Sequence, residues 1–212
     1  QVVGALQAPA STGYDPGLAP YPFDPERARR LIREAGYPDG LAIQLIAEQG
    51  WDVQATVIGK MLEQAGFRVE TRILDHATFP RKVYLAHLDQ PAEQQSWDIA
   101  LTFWQDAINF PLFEYFHTFT LDGLSDWVEE QPELHRLYDQ AMGTVDPDRQ
   151  RALVRQIERH THEQAYFLFL YNPIMLYAAN KAVDYETYAT AVLLFKKTSV
   201  TNRHWSVRAP KR

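Results

Sequence analysis

Strand and helix patterns alternate through the first half of the chain, and this order restricts the folds that it can adopt. Apolar residues recur with a period of two in some segments and at helical spacing in the segments between them. The strand-like segments are 41–47, 67–74 and 97–103, and the helix-like segments are 51–66 and 75–86. Parallel strands joined by helical crossovers account for such alternation. We therefore predict an α/β fold in which helices flank a mostly parallel sheet.

Two Asp-Pro pairs predict where helices begin. Asp24 and Asp146 are suitable N-caps, and each is followed by a proline, which fits the first helical position. Gly36 is expected to end the first of these helices in a left-handed conformation. Before the first pair, residues 1–22 are rich in proline and glycine and predict a linker or an arm rather than a packed element.

Helical spacing also predicts which side chains face the core. The helix at 51–66 is expected to bury one stripe, and a later helix at 132–145 another. The predicted core positions are Val53, Val57, Met61, Leu62 and Ala65 in the first helix, and Leu134, Leu137, Tyr138 and Ala141 in the second. Residues 110–119 predict a short aromatic helix. Apolar, aromatic-rich strands are predicted at 166–171 and 174–183.

Charge and composition argue against several classes of function. The formal net charge is −6, and basic residues adjoin only in pairs, so we expect no nucleic-acid partner. There is no cysteine, which excludes disulfides and thiolate chemistry. No apolar run approaches the roughly 20 residues that span a bilayer. The first residues have neither the basic start nor the apolar centre of a signal peptide.

Motifs of enzymes and cofactor sites are missing from the sequence. It contains no G-x-S-x-G, no G-x-G-x-x-G and no phosphate loop. The only metal-like cluster is His160 to Glu163, in which His160 and His162 would project roughly 200° apart on a helix. We therefore expect no enzyme activity, no cofactor and no metal site.

The carboxyl ends of the predicted strands carry the best candidates for a binding site. In open parallel sheets, ligands bind beyond these ends. The first strand is followed by Glu48, Gln49 and Trp51, the second by Asp75 and His76, and the third by Trp104, Gln105, Asp106 and Asn109. We interpret Asp75 as a cap of the next helix. The predicted ligand site places polar groups beside indole rings. It consists of Glu48, Gln49, Trp51, Trp104, Gln105, Asp106 and Asn109.

Several segments, taken in order, resemble one protein family. "YPFDPERARRLIREAGYPDG" is similar to the "y-DP-x-x-A-x-x-LL-x-x-AGyp-G" segment of the extracytoplasmic solute-binding proteins of ABC importers, family 5, the oligopeptide, dipeptide and nickel class. "IGKMLEQAGFRVETRIL", "WDIALTFW" and "DPDRQRALVRQIERHTHEQAYFLFLY" resemble later segments of the same family. Together these matches cover most of residues 21–180.

The resemblance implies a type II periplasmic-binding-protein lobe that captures a solute and delivers it to ABC permease subunits in the membrane. Family members are much longer, so residues 1–22 are expected to leave a missing N-terminal lobe, 23–180 to form the C-terminal lobe and 181–212 an extension. We expect a periplasmic or extracytoplasmic location, with a signal peptide upstream of this fragment.

The loop after the third strand departs from the family pattern. In peptide-binding members this loop resembles "W-x-x-D-x-x-x-P", and its Asp pairs with the ammonium of the peptide. Trp104 and Pro111 keep that spacing, but Ala107 occupies the place of the Asp and the acid is Asp106. A peptide is the favoured ligand, and nickel, haem-like and sugar ligands remain alternatives. A regulatory, ligand-sensing domain of the same two-lobed architecture is the alternative function.

Overall fold

A computed structural model describes residues 2–7, 9, 11–85, 94–103, 131–188 and 195–208. These residues form two compact units. The first comprises the described residues of 21–103 and 131–143, and the second those before 21 and after 143. Within these ranges, no helix is both long enough and apolar enough to cross a membrane.

The first unit is built on a small parallel sheet. Its elements are α1 (Pro25–Glu34), β1 (Leu41–Glu48), α2 (Asp52–Gln64), β2 (Phe67–Leu74), α3 (Thr78–Pro80) with a π-helical turn (Arg81–Leu85), β3 (Ile99–Leu101) and α4 (Pro132–Met142). The strand order is β2-β1-β3, and β1 pairs in parallel with both neighbours. The predicted α/β fold with a parallel sheet is therefore confirmed.

The central strand β1 is buried because both of its faces are covered. Leu45 is fully buried and lies toward Gly59 of α2 on one face. On the other face, Ile46 packs with Phe79 and Val83 of the α3 region. Leu74, Tyr84, Trp97 and Ala100 pack against that cluster. A strand covered on both sides needs a nearly continuous apolar run, as the sequence of β1 provides.

The predicted core stripe of α2 is wrong. Val53, Val57 and Met61 are 74%, 53% and 46% exposed, whereas Ala55 and Gly59 are the buried residues of the helix. A Cβ at Gly59 would lie 3.0 Å from Thr71 Oγ1 of β2, so the small residue permits close approach of helix and sheet. Leu62 and Ala65 are half-buried. The helix thus faces the sheet with its small side chains and leaves the larger ones in solvent.

The predicted ends of α1 are confirmed. The Asp24 carboxylate accepts a hydrogen bond from the Arg27 backbone N–H at 2.8 Å. Gly36 has a φ of 95°, and the N–H groups of Gly36 and Tyr37 donate to the carbonyls of Arg33 and Ile32. This pair of bonds is the Schellman pattern, which satisfies carbonyl groups at the end of a helix.

The second unit is centred on α5 (Pro147–Glu163). Asp146 caps it as predicted, accepting from the Arg149 N–H at 2.7 Å. The unit also contains β4 (Val183–Asp184), a 3-10 turn (Phe195–Lys197), β5 (Ser199–Val200) and α6 (Trp205–Arg208). Strands β4 and β5 are antiparallel.

The N-terminal arm lies against α5. The described residues of 2–20 contain no helix or extended strand, as expected, but the expectation that the arm is unpacked is wrong. Gln7 and Asp15 are buried, and the Gln7 N–H donates to the Glu158 carboxylate at 3.4 Å. Asp15 accepts from Arg159 Nε at 2.8 Å.

Two other expectations about strands need correction. Residues 166–171 and 174–183 are irregular apart from Val183 and an isolated bridge between Val2 and Tyr171, so the predicted strands are absent from these described segments. Strand β3 spans only Ile99–Leu101, shorter than the predicted 97–103. Just before its start, the Asp98 carboxylate accepts from the Gln44 N–H at 2.7 Å, in the place of a backbone acceptor. The predicted aromatic helix at 110–119 lies outside the described residues.

Candidate functional site

The carboxyl ends of the three parallel strands meet at one edge of the sheet. Glu48, the last residue of β1, is aligned with Leu74, the last residue of β2. On the other side, Ala47 is aligned with Leu101, the last residue of β3. The segments that follow these strands therefore start side by side. This register brings together residues that are far apart in the sequence.

Glu48 and His76 form the polar centre of this edge. Glu48 Oε1 and His76 Nδ1 are 2.8 Å apart, with the Glu48 side chain 29% exposed. Tyr84 lies close enough for its pKa to be raised, first by its burial and then by the charge of Glu48. The carboxylate is thus partly shielded from water and keeps one imidazole partner.

A tight turn leads from Glu48 to the next helix. The Trp51 N–H donates to the Glu48 carbonyl at 3.1 Å, which closes the turn. Gly50 adopts a φ of 96° at the third position of this turn, where glycine is favoured. A Cβ at Gly50 would have no atom within 4 Å, so the glycine is required by the backbone and the space beside it is open.

An aromatic wall stands beside this turn. The rings of Trp51 and Phe103 are stacked, with centroids 6.0 Å apart and planes inclined by 25°. Trp51 is half-buried and Phe103 is 40% exposed. The two partly exposed rings and the Glu48 carboxylate belong to segments at the same edge of the sheet, which therefore offers both apolar and charged groups, as small-molecule sites require.

The remaining predicted site residues fall into two groups. The Gln49 N–H donates to the Leu74 carbonyl at 2.9 Å, and its side chain is exposed at the same edge. Trp104, Gln105, Asp106 and Asn109 lie outside the described residues, so their placement stays a prediction.

The interpretation of Asp75 as a cap is supported by its hydrogen bonds. Its carboxylate accepts from the N–H groups of Ala77 and Thr78 at 2.9 Å and from Thr78 Oγ1 at 2.7 Å. These bonds, that of the Thr78 hydroxyl first, hold the pKa of Asp75 below its ordinary value. The carboxylate is therefore engaged in starting the α3 turn.

Sequence reasoning missed Tyr84 and Phe103, and it noted His76 without assigning it to the site. Phe103 was expected to be one more apolar residue of a strand, and Tyr84 lies in the π-helical turn, whose register a helical pattern does not give. Pairing of His76 with Glu48 depends on the alignment of β1 with β2. The sequence predicted that β1 and β2 belong to one parallel sheet, and this was the signal that could have placed His76 near Glu48.

The described residues offer little for a metal ion. No group of three or more His, Cys, Asp or Glu side chains in these ranges is arranged to hold one. The pair formed by Glu48 and His76 has only two potential metal-ligating side chains, which is fewer than such a group requires. In the predicted cluster of α5, His162 Nε2 lies 3.0 Å from the Ala19 carbonyl, so it is engaged by the arm.

Comparison with known proteins gives a consistent result. The family model described as bacterial extracellular solute-binding proteins, family 5 Middle, matches residues 2–125. The glutathione-binding protein GsiB of Escherichia coli (strain K12) is 31% identical over 70 residues, which are 32% of this chain and 14% of that protein.

Solved structures resemble most of the chain. The oligopeptide-binding protein AppA from Bacillus subtilis, in complex with a nonapeptide, has a TM-score of 0.73 and 19% identity, covering 95% of this chain and 42% of AppA. The periplasmic binding protein DppA from Helicobacter pylori, in complex with peptide STSA, has a TM-score of 0.66 and 20% identity, covering 80% of this chain and 33% of DppA. The chain thus spans less than half the length of these relatives.

Proposed function

Because the chain belongs to the bacterial extracellular solute-binding proteins of family 5, we propose that it is part of a protein that captures a solute outside the cytoplasm and delivers it to the permease subunits of an ABC importer. Its fold is that of a type II periplasmic-binding-protein lobe. A second lobe of the same protein would complete the ligand cleft. The proposed role is binding and transport, without enzymatic turnover.

The observation that carries the proposal is the composition of the sheet edge. The ends of β1, β2 and β3 bring a half-buried carboxylate, an imidazole and two stacked rings together in the part of the fold where α/β proteins bind ligands. Gln49, Trp104, Gln105, Asp106 and Asn109 are proposed to extend this surface.

We propose a peptide as the ligand. Glu48 is acidic and partly shielded from water, so it favours a positively charged group such as the N-terminal ammonium of a peptide. Trp51 and Phe103 offer an apolar surface for a side chain or the peptide backbone. Two of the relatives are solved with peptides, and a third is named for glutathione, itself a small peptide.

Isothermal titration calorimetry with trialanine and N-acetyl-trialanine tests the ammonium contact directly. We expect the acetylated peptide to bind about tenfold more weakly, since a hydrogen bond to a charged group contributes about 1.5–3 kcal/mol. In Glu48→Gln the two peptides should bind with nearly equal affinity. Glu34→Gln is the matched control, because Glu34 is an exposed acid of α1 and should change neither affinity.

Two results would contradict the proposal at different levels. Equal binding of both peptides to the unchanged chain would exclude the ammonium contact with Glu48 but leave solute capture in place. No heat of binding with trialanine, glutathione or a mixed peptide digest, measured on a protein that contains both lobes of the cleft, would reject peptide capture. Trp51→Ala separates the aromatic contribution, and it should weaken both peptides by the same factor.

A further inference from the structure

Three hydroxyl groups near the C-terminus are buried without hydrogen-bond partners in the part of the chain that the structure describes. They belong to Tyr177, Tyr185 and Thr198, and we call them the hydroxyl cluster. The large majority of buried polar atoms in proteins have a partner. Three such groups within one small region therefore indicate that something outside the described chain satisfies them.

The pairing of β4 with β5 brings these residues together. Val183 is aligned with Val200 and Asp184 with Ser199 in an antiparallel ladder. Continuing this register by one step sets Tyr185 opposite Thr198.

A further step of the same register sets Glu186 opposite Lys197. Their side chains are indeed joined, with Lys197 Nζ 3.2 Å from Glu186 Oε2. Extrapolation of the ladder beyond Asp184 is therefore supported by an observed contact.

The aromatic rings complete the cluster. Tyr177 and Tyr185 have ring centroids 6.1 Å apart, with planes inclined by 51°. Lys197 Nζ lies 5.6 Å from the centroid of the Tyr188 ring. The Glu186 carboxylate and the Tyr188 phenol therefore hold an ammonium group beside the cluster.

The chemistry of the cluster is that of a hydrogen-bond donor. Burial first, and then the neighbouring phenols of Tyr177 and Tyr188, raise the pKa of Tyr185, so this phenol keeps its proton at neutral pH. Hydrogen bonds to the Glu186 carboxylate first, and then to the Tyr188 phenol, raise the pKa of Lys197, which keeps the ammonium charged. The described residues of 177–200 include three lysines and two acidic residues, so this segment is slightly positive although the whole chain has a net negative charge.

We propose that the hydroxyl cluster and Lys197 bind an oxyanion, either a carboxylate or a phosphate group. Its oxygen atoms accept hydrogen bonds from several hydroxyls at once, and Lys197 offsets its charge. A cation would leave the hydroxyl hydrogens unpaired and would lie against Lys197. None of the residues of the proposed solute site takes part, so this site is independent of the proposed function.

Titration of the purified 212-residue chain with inorganic phosphate and, separately, with acetate tests this site. We expect saturable calorimetric binding of at least one anion in the millimolar range. Tyr185→Phe keeps the ring and removes the hydroxyl, so it should weaken binding about tenfold, as for one hydrogen bond to a charged group. Tyr37→Phe is the matched control, because Tyr37 is an exposed tyrosine of the other unit and should bind as the unchanged chain does.

Thermal unfolding without added anion provides a second readout. Because the Tyr185 hydroxyl has no partner in the described chain, Tyr185→Phe should leave the midpoint unchanged or raise it. A lowered midpoint would show that the hydroxyl is paired within the protein and would overturn the proposal. Binding of phosphate alone or acetate alone identifies the oxyanion. Absence of saturable binding, or equal binding by Tyr185→Phe, would reject the site.

Discussion

At the residue scale, Gly50 controls the geometry of the candidate site. Its positive φ allows the turn that places Trp51 beside Glu48, and the space around it is open. A residue with a Cβ pays a conformational penalty in this region even where nothing collides with it. Glycine is therefore favoured at position 50 by the backbone conformation and not by the packing around it.

We expect Gly50→Ala to lower the free energy of unfolding by about 1–2 kcal/mol, the cost of the left-handed conformation for an alanine. Denaturant titration measures this change. Gly50→Asn is the matched variant, because asparagine tolerates the left-handed region better, and its loss should be smaller. Equal losses for alanine and asparagine would point to a steric cause instead.

At the scale of elements, α2 shows why a hydrophobic pattern alone can select the wrong face. The helix has two candidate faces, one with Val53, Val57 and Met61 and one with Ala55 and Gly59. Side-chain size favours the first, but close packing on the sheet needs small residues at the contact. Only knowledge of the distance between helix and sheet distinguishes the two. The apolar pattern of residues 166–171 was misleading in a similar way. It predicted a strand, but among the described residues this segment pairs only through an isolated bridge between Val2 and Tyr171.

The contact between the arm and α5 is an element-scale feature that can be tested by pH. The Asp15 carboxylate accepts from the Gly17 N–H at 2.9 Å and from Arg159 Nε at 2.8 Å. The first of these bonds is the main cause that lowers the pKa of Asp15, against the effect of burial. A lowered folded-state pKa means that the ionised carboxylate stabilises the fold above the unfolded-state pKa of about 3.9.

We therefore expect Asp15→Asn to cost about 1 kcal/mol of unfolding free energy at pH 7. This difference from the unchanged chain should shrink as pH falls below about 4, through the lowered pKa, because the unchanged chain then loses its own charge. Asp148→Asn is the control: its carboxylate pairs with Arg151 but is 86% exposed, so its loss should be near zero. A difference for Asp15→Asn that stays constant down to pH 2 would exclude the role of its charge.

At the scale of the whole molecule, the alternation of strands and helices was sufficient to predict the parallel sheet and the edge at which Glu48 and Trp51 lie. It could not predict their partners. Pairing of Glu48 with His76 depends on strand register, and stacking of Trp51 on Phe103 depends on the path of the chain after β3. The N-terminal arm was predicted from its composition, but its burial follows from polar contacts with α5 that no local pattern encodes.

Exposed apolar residues are the remaining feature at this scale. Ile174 and Leu176 are 84% and 90% exposed, and they adjoin Met175, which is 51% exposed. Consecutive apolar side chains in solvent favour association, because each gains about 1.5–3 kcal/mol when it is fully buried. We therefore expect the 212-residue chain to self-associate in a concentration-dependent way.

Sedimentation velocity of the chain and of the double variant Ile174→Ser, Leu176→Ser measures this association. The variant should associate at least tenfold more weakly, while its unfolding free energy changes by less than about 0.5 kcal/mol, since both side chains are already in solvent. Val145→Ser is the matched control, because Val145 is 95% exposed but has no exposed apolar neighbour in sequence. If the double variant and the control sediment alike at every concentration, the segment does not drive association, and its apolar side chains are tolerated singly, as on most protein surfaces.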